Sequence, residues 1–194
     1  ARDDAKTLPL VLRRIEKVIP HSHVNNKILV DDHSTDRTRE IARDFEWSVY
    51  LNPKGGIGFS ANEALRHVEA EYFVSVEQDV LLSNDWWVKI TKHMENRDVV
   101  VAQGIRVFSN DVLRKLDNTY SAQNPNPYSI DNNLYRIQFL LDAGGFPIDT
   151  LAVDALLFRK VVKMGKLWII DRTVVCQHLK GSLGDYLRGA RKSY

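Results

Sequence analysis

Ile28-Leu29-Val30-Asp31-Asp32-His33-Ser34-Thr35-Asp36-Arg37-Thr38 reads as an apolar strand that stops on two carboxylates and gives way to a helix. Residues 27–30 are the strand. Ser34, Thr35 and Asp36 are side chains that cap a helix N-terminus, here of a helix reaching about Phe45. The same alternation continues outward. Residues 47–51 form a second strand, ended by the turn Asn52-Pro53-Lys54-Gly55-Gly56. Residues 60–69 form a helix with Ala61, Ala64, Leu65 and Val68 on one face. Residues 72–76 are nearly all apolar, as a strand buried on both faces is, and they run into Glu77-Gln78-Asp79. A helix over 83–94 with Trp86 and Trp87 in its first turn, a strand over 99–102, a helix over 151–164, strands over 167–170 and 174–176, and a last helix near 183–191 complete the series. Such alternation predicts an α/β domain with a mostly parallel sheet. The helix over 5–18 stands where a strand normally comes first, so the sheet is expected to lack a strand.

Length and composition narrow the class further. The 194 residues suffice for one well-buried domain, and 44% apolar with 27% charged residues is ordinary for a globular protein. A net charge of +2 from interspersed signs gives no reason to expect nucleic acid. The tail is more basic: Lys180, Arg188, Arg191 and Lys192 face only Asp185, which reads first as a solvated helix face and second as a patch for anionic lipid or phosphate. Cys176 is the only cysteine, so no internal disulfide forms and a reducing, cytoplasmic setting is expected. No run approaches the roughly 18 apolar residues of a membrane span, so a membrane would be met only peripherally, at its cytoplasmic face.

Open α/β sheets bind ligands beyond the carboxyl ends of their strands. Three polar groups stand there: Asp31 and Asp32; Glu77, Gln78 and Asp79; and, later in the chain, Asp154 and His178. A carboxylate cluster supplies hard oxygen ligands for Mg²⁺ or Mn²⁺ with substrate phosphates completing the shell, and Asp79 is the first choice of ligand. Gly55-Gly56-Ile57-Gly58 precedes a helix, so backbone amides there can approach a phosphate. Gly56, Gly58 and Ala61 also fit a dinucleotide-binding fingerprint, which keeps an NAD-dependent oxidoreductase as an alternative. Pro53, Lys54 and Gly55 count against it, because the fingerprint's tight turn has no room for them. Residues 108–133 break the periodicity and carry two Asn-Pro pairs. They are expected to form a mobile lid whose Tyr120, Tyr128 and Tyr135 stack on sugars.

The stretch 28–38 resembles the Val-Asp-Asp-Gly-Ser-x-Asp-x-Thr signature of family 2 glycosyltransferases, and the resemblance continues in order. Residues 52–62 are similar to that family's Asn-x-Gly…Ala-x-Asn turn and helix, and 76–79 to its Asp-x-Asp motif with Glu77 in the first place. Gly144-Gly145-Phe146 resembles its Gly-Gly-Phe loop, and Val153-Asp154 stands where Glu-Asp is usual. The resemblance implies the GT-A fold, a three-layer α/β/α sandwich, divided into a nucleotide-binding half over 1–104 and an acceptor-side half over 105–194. It implies an inverting, Mn²⁺- or Mg²⁺-dependent transfer from a nucleotide-diphosphate sugar to a glycan, lipid-linked or other hydroxyl acceptor. Asp31, Asp32, Gly56, Gly58, Asn62 and Gln78 would bind the nucleotide sugar, Asp79 and His178 the metal, and Asp154 would be the general base. For His178 packing beside Cys176, and for Asp154 capping its helix, remain alternatives. A non-catalytic module that keeps the fold is the third reading.

Overall fold

The computed structural model describes residues 1–123 and 127–179. Pro9 in the first turn and Lys17 in the last frame α1, Leu8–Val18, in which Leu8, Val11, Leu12 and Val18 make one buried stripe. The decisive stretch folds as read: β1 is Ile28–Asp31 and α2 is Thr38–Asp44, with the Thr38 amide donating to Asp36 Oδ1 at 2.9 Å. Then come β2 (Ser48–Leu51), α3 (Ile57–Leu65), β3 (Tyr72–Ser75), β4 (Val80–Leu81), α4 (Trp86–His93) and β5 (Val99–Phe108). The remainder is α5 (Asp111–Gln123), β6 (Asn133–Arg136), α6 (Ile137–Asp142), α7 (Val153–Lys163) and β7 (Leu167–His178). No helix among the described residues is long and apolar enough to cross a membrane.

β1 and β2 pair in parallel, and the other strands form a five-stranded sheet ordered β3-β6-β5-β7-β4. β5 runs parallel to β7, while β6 and β4 are antiparallel to their neighbours. Thus β3, β5 and β7 share one direction and the two short strands oppose it. Period-two alternation sorts the side chains onto two faces: Phe73, Tyr135 and Trp168 meet α6 and α7, and Val74, Leu134 and Ile169 meet α4. Trp86 is wholly buried in the second face, as a core residue should be. A smaller core of Leu8, Leu12, Leu29 and Ala42 joins α1 and α2 to the β1–β2 pair.

Between β1 and β3 lies a cavity of about 1120 Å³, with Leu12, Leu29, Ala64, Val68, Phe73 and Val74 in its walls and Asp32, Gly56 and Asp79 at its polar end. Ala1 reaches β1. Its amine donates to Val30 O and its carbonyl accepts from the Asp32 amide, each at 2.7 Å, the pattern of a parallel bridge.

Several expectations are corrected. β5 continues to Phe108, and the strands expected over 167–170 and 174–176 are one: Gly104 pairs with Asp171 and Ile105 with Val175, so 172–174 bulge from the ladder. Of the segment expected as a lid, Asp111–Gln123 forms a helix. Asn110 Oδ1 caps α5 through the Val112 and Leu113 amides, and the segment ending at Asn133 is pinned by Gln103, which donates to Pro127 O and accepts from the Ser129 amide. Tyr128 is partly buried with one face stacked on Phe158 at 3.7 Å, and Tyr135 is fully buried and offers no face to a ligand. The side chain of Tyr120, the residues 124–126 and the helix expected over 183–191 with its basic patch lie outside the described residues.

Asn132 ties the bulge to α4. Its Oδ1 accepts from Trp86 Nε1 at 2.9 Å and from Cys176 Sγ at 3.3 Å, and its Nδ2 donates to Gly104 O at 2.9 Å. The residue is 1% exposed and sits at φ 55°, a conformation that asparagine tolerates better than most residues. Asn132→Ala leaves buried polar groups unmatched and should cost about 2–3 kcal/mol. In a domain of this size that lowers the melting temperature by about 4–12 °C, measurable by circular dichroism.

Candidate active site

The carboxyl ends of β1 and β3 deliver their acids to one side of the molecule. Asp31 is fully buried and faces inward: Oδ2 accepts from the Ser34 amide at 3.0 Å and lies 3.7 Å from Arg39 Nε, while Oδ1 has no hydrogen-bond partner. Asp32 instead faces the polar end of the cavity, with Arg2 Nη1 3.5 Å from its Oδ2. Asn52, wholly buried, closes the next turn by directing Nδ2 at Asp32 Oδ1, Gly56 O and Ser60 Oγ. Gly56 enters α3 at φ 86°, open to the cavity, so the helix N-terminus with its unpaired amides faces the same space as Asp32.

Gly58 and Asn62, expected at the ligand, work on the opposite flank of α3. A Cβ at Gly58 would lie 2.0 Å from Pro147 O, so this glycine lets the helix touch the loop after Phe146. Asn62 grips the backbone of that loop. Its Nδ2 donates to Phe146 O at 2.9 Å and its Oδ1 accepts from the Phe146 amide at 2.8 Å. Both side-chain atoms are engaged there, so Asn62 acts on the site through the loop it holds. Gln78 lines the cavity between Glu77 and Asp79.

Glu77, Asp79 and His178 bring three potential metal-ligand atoms within 4.8 Å of one another. His178 arrives at the end of β7, its ring 4.5 Å from that of Phe108 and its Nε2 3.1 Å from Asp79 Oδ2. It is 2% exposed, and Nδ1 has no hydrogen-bond partner. An Asp79 carbonyl bond to the Leu179 amide at 2.8 Å fixes the two chain segments together. Burial, then repulsion from Asp131, pushes the Glu77 carboxyl up to about 7 against the pull of Arg106. Asp4 is likewise raised to about 6, by burial first and with Asp79 and Asp36 adding to it. The N-terminal residues thus lie between the β1 acids and the β3 acids, and all of them feel one another.

The triad fits a divalent cation. Its donors, two carboxylates and one imidazole from different segments, are all groups that ligate such cations. Two carboxylates with one imidazole suit Mn²⁺ better than Mg²⁺, which prefers oxygen throughout. Asp154 sits apart from the triad, in the first turn of α7, where its Oδ1 accepts from the Ala155 amide at 2.8 Å. It and Asp131 both help to raise the titration of the buried Tyr135 hydroxyl, after burial itself, which places them near the same ring. Sequence reasoning passed over Arg106, Asp131 and Asp4. None of these belongs to a recognisable motif, and only the fold brings them to the acids.

Residues 6–157 match the family model described as Glycosyl transferase family 2. Among curated protein sequences none matches the chain significantly. Solved structures share the fold. A mannosyltransferase from Pyrobaculum calidifontis in complex with GDP-Man and Mn²⁺ superposes with a TM-score of 0.78 at 21% identity, over 99% of this chain and 58% of its own length. S. aureus TarS (1-349) in complex with UDP-GlcNAc gives 0.70 at 20% identity, over 94% and 57%. Glucosyl-3-phosphoglycerate synthase from Mycobacterium tuberculosis, with Mn²⁺, UDP and glucosyl-3-phosphoglycerate, gives 0.70 at 15%, over 100% and 74%. The α/β architecture is therefore the GT-A one that the resemblance implied. The chain spans somewhat over half the length of the first two.

The contact between α3 and the 144–147 loop can be probed directly. Gly58→Ala pushes a methyl group against backbone that cannot swing aside, an overpacking that costs about 1–3 kcal/mol. A melting temperature lower by several degrees, with heightened amide exchange at Phe146, is the expected result.

Proposed function

The chain belongs to glycosyl transferase family 2, and on that premise we propose that it moves a sugar from a nucleotide diphosphate to an acceptor hydroxyl with inversion, using a divalent metal. The observation that carries the reading is the clustering of Glu77, Asp79 and His178 beside the cavity that also receives Asp32 and the start of α3. When bound there, Mn²⁺ supplies Lewis-acid stabilisation of the negative charge that builds on a departing diphosphate. The protein's part is placement. Asp32 and the Asn52-stapled turn form the nucleoside end, the α3 N-terminus and its flanking glycines face the phosphates, and Gln78 lines the wall between. Asp154 accepts the proton of the acceptor hydroxyl as it attacks the anomeric carbon from the side opposite the leaving group. The acceptor, whether a glycan, a lipid-linked sugar or another hydroxyl compound, is bound by the half of the chain that carries Asp154. Peripheral contact with the cytoplasmic membrane face belongs to the same reading for a lipid-linked acceptor.

Two substitutions test it. Asp79→Asn should weaken Mn²⁺-dependent binding of UDP or GDP by more than the ~10–100-fold that follows loss of a mere outer-shell partner. Calorimetry with and without Mn²⁺ measures this, with NAD as a control ligand. Binding that needs no metal and survives the substitution removes the metal from the reading, and tight NAD binding without metal favours an oxidoreductase. Asp154→Asn should leave nucleotide binding and melting temperature nearly unchanged while turnover falls about 10²- to 10⁴-fold, the usual scale for a general base. A variant that instead melts early shows Asp154 to be a helix cap.

A further inference from the structure

One cation connects the metal-ligand triad to the rest of the molecule. Arg106, near the end of β5, directs Nη1 at Asp131 Oδ2 (2.7 Å) and at Glu77 Oε2 (3.3 Å). The three residues belong to separate segments: the turn after β3, the interior of β5 and the approach to β6. Asp131 is the fixed end. It is 1% exposed, its second oxygen accepts from Ser129 Oγ, and the following Asn132 and Asn133 are buried and hydrogen-bonded to Gly104 O and to the Tyr135 hydroxyl. Glu77 is the adjustable end, on a long side chain that is 36% exposed.

From this geometry we infer that Arg106 is a positioning residue. Pinned by Asp131, it holds the Glu77 carboxylate within the triad and so sets the affinity of the site for a divalent cation; the inference rests on the metal reading above. A glutamate left to itself loses three torsions' worth of freedom when it takes a ligand, and one already held loses less. The opposing effect is repulsion between the guanidinium and an incoming cation. The nearer and fully buried partner decides which effect wins. Asp131 neutralises the guanidinium, so the longer contact to Glu77 directs more than it repels. Arg106 stays on the protein side of Glu77, acting on a ligand without being one, as partners outside the coordination shell do.

The direct test is a Mn²⁺ titration followed by electron paramagnetic resonance, in the presence of UDP and, in parallel, GDP. Removing Arg106 alone would strand the buried Asp131 charge, so the variant is Arg106→Gln with Asp131→Asn. Its apparent dissociation constant for Mn²⁺ should rise by about 10- to 100-fold, the scale for outer-shell partners, while metal-free melting stays near that of the parent. The same pair of substitutions made in a Glu77→Gln background should change the constant less than twofold, because the residue through which Arg106 acts is already lost. An unchanged Mn²⁺ constant in the first variant overturns the inference, and so does an equal loss in the Glu77→Gln background. Should the double variant fail to fold, Arg106→Lys keeps a cation on Asp131 with a shorter arm toward Glu77. A rise of threefold or more in its Mn²⁺ constant supports the inference and no rise overturns it. If the parent chain binds neither nucleotide with Mn²⁺, the functional reading falls and this inference with it. If the parent binds and Asp79→Asn does not, only the inference is at stake.

Discussion

Mutual repulsion among carboxylates is the constraint on which this structure turns. Asp4, Asp32, Glu77, Asp79 and Asp131 converge from four segments on one side of the sheet, and within reach they have Arg2, Arg106 and His178. At a few ångströms, like charges cost of the order of 1 kcal/mol in water and several times that in a partly dry site. Burial raises the Glu77 and Asp4 carboxyls first, and repulsion from Asp131 and Asp79 adds to it. A fold gains nothing in stability by assembling such a group, so the strand ends must be held together by what lies behind them: the β5–β7 ladder and the Asn132 network. A divalent cation resolves the conflict in one step, since it supplies the charge that the protein withholds. A strained acidic cluster and a site ready for metal are thus two descriptions of one arrangement.

Legibility in the sequence followed how each element is stabilised. β1 and β3, and the helices packed on the sheet, carry apolar runs or stripes that mark them, and β2 shows the same apolar run although it is only partly buried. α5 was missed because Leu113 is its main buried contact, so it carries too little apolar periodicity to register as a helix. β6 was missed for a different reason. Asn-Leu-Tyr-Arg has polar residues at both ends, and it is a strand because Asn133 finds the Tyr135 hydroxyl and Arg136 reaches Val99 O and the Tyr72 hydroxyl. The partners of Arg136 are tens of residues away and leave no local signature. The break expected between 170 and 174 is real as a perturbation, since Asp171 turns its carboxylate onto Thr173, but the strand absorbs it as a bulge.

The site divides the same way. Asp31-Asp32, Glu77-Gln78-Asp79 and His178 stand at strand ends, where the topology of an open sheet makes polar residues conspicuous, and three of them do come together. What the motifs blurred is the direction each side chain takes. Asp31 and Asp32 look equivalent in the sequence, yet strand alternation turns one into the protein and the other toward the cavity. Gly56 and Gly58 look like two parts of one phosphate loop, yet one opens the helix to the cavity and the other lets it touch Pro147. A spacing of two residues on a helix start is enough to put them on different faces.

That second contact gives Asp154 its place. The 144–147 loop is held from two sides: Asn62 on α3 binds the Phe146 backbone, and Lys160 on α7 caps the end of α6 by donating to Ala143 O at 2.7 Å and to Gly145 O at 3.1 Å. Gly144 and Gly145 adopt φ 73° and 80°, and a Cβ on Gly145 would meet Asn62 Oδ1 at 2.4 Å, so the clamp closes only on glycine. Through this short chain of contacts α7 is located relative to α3, and hence Asp154 relative to the helix start that faces the cavity. The spacing of α3 and α7 is thus set by two backbone-gripping side chains and three glycines. Their contribution is rigidity, and it explains why residues that resemble a binding motif in the sequence are found on the far flank of α3.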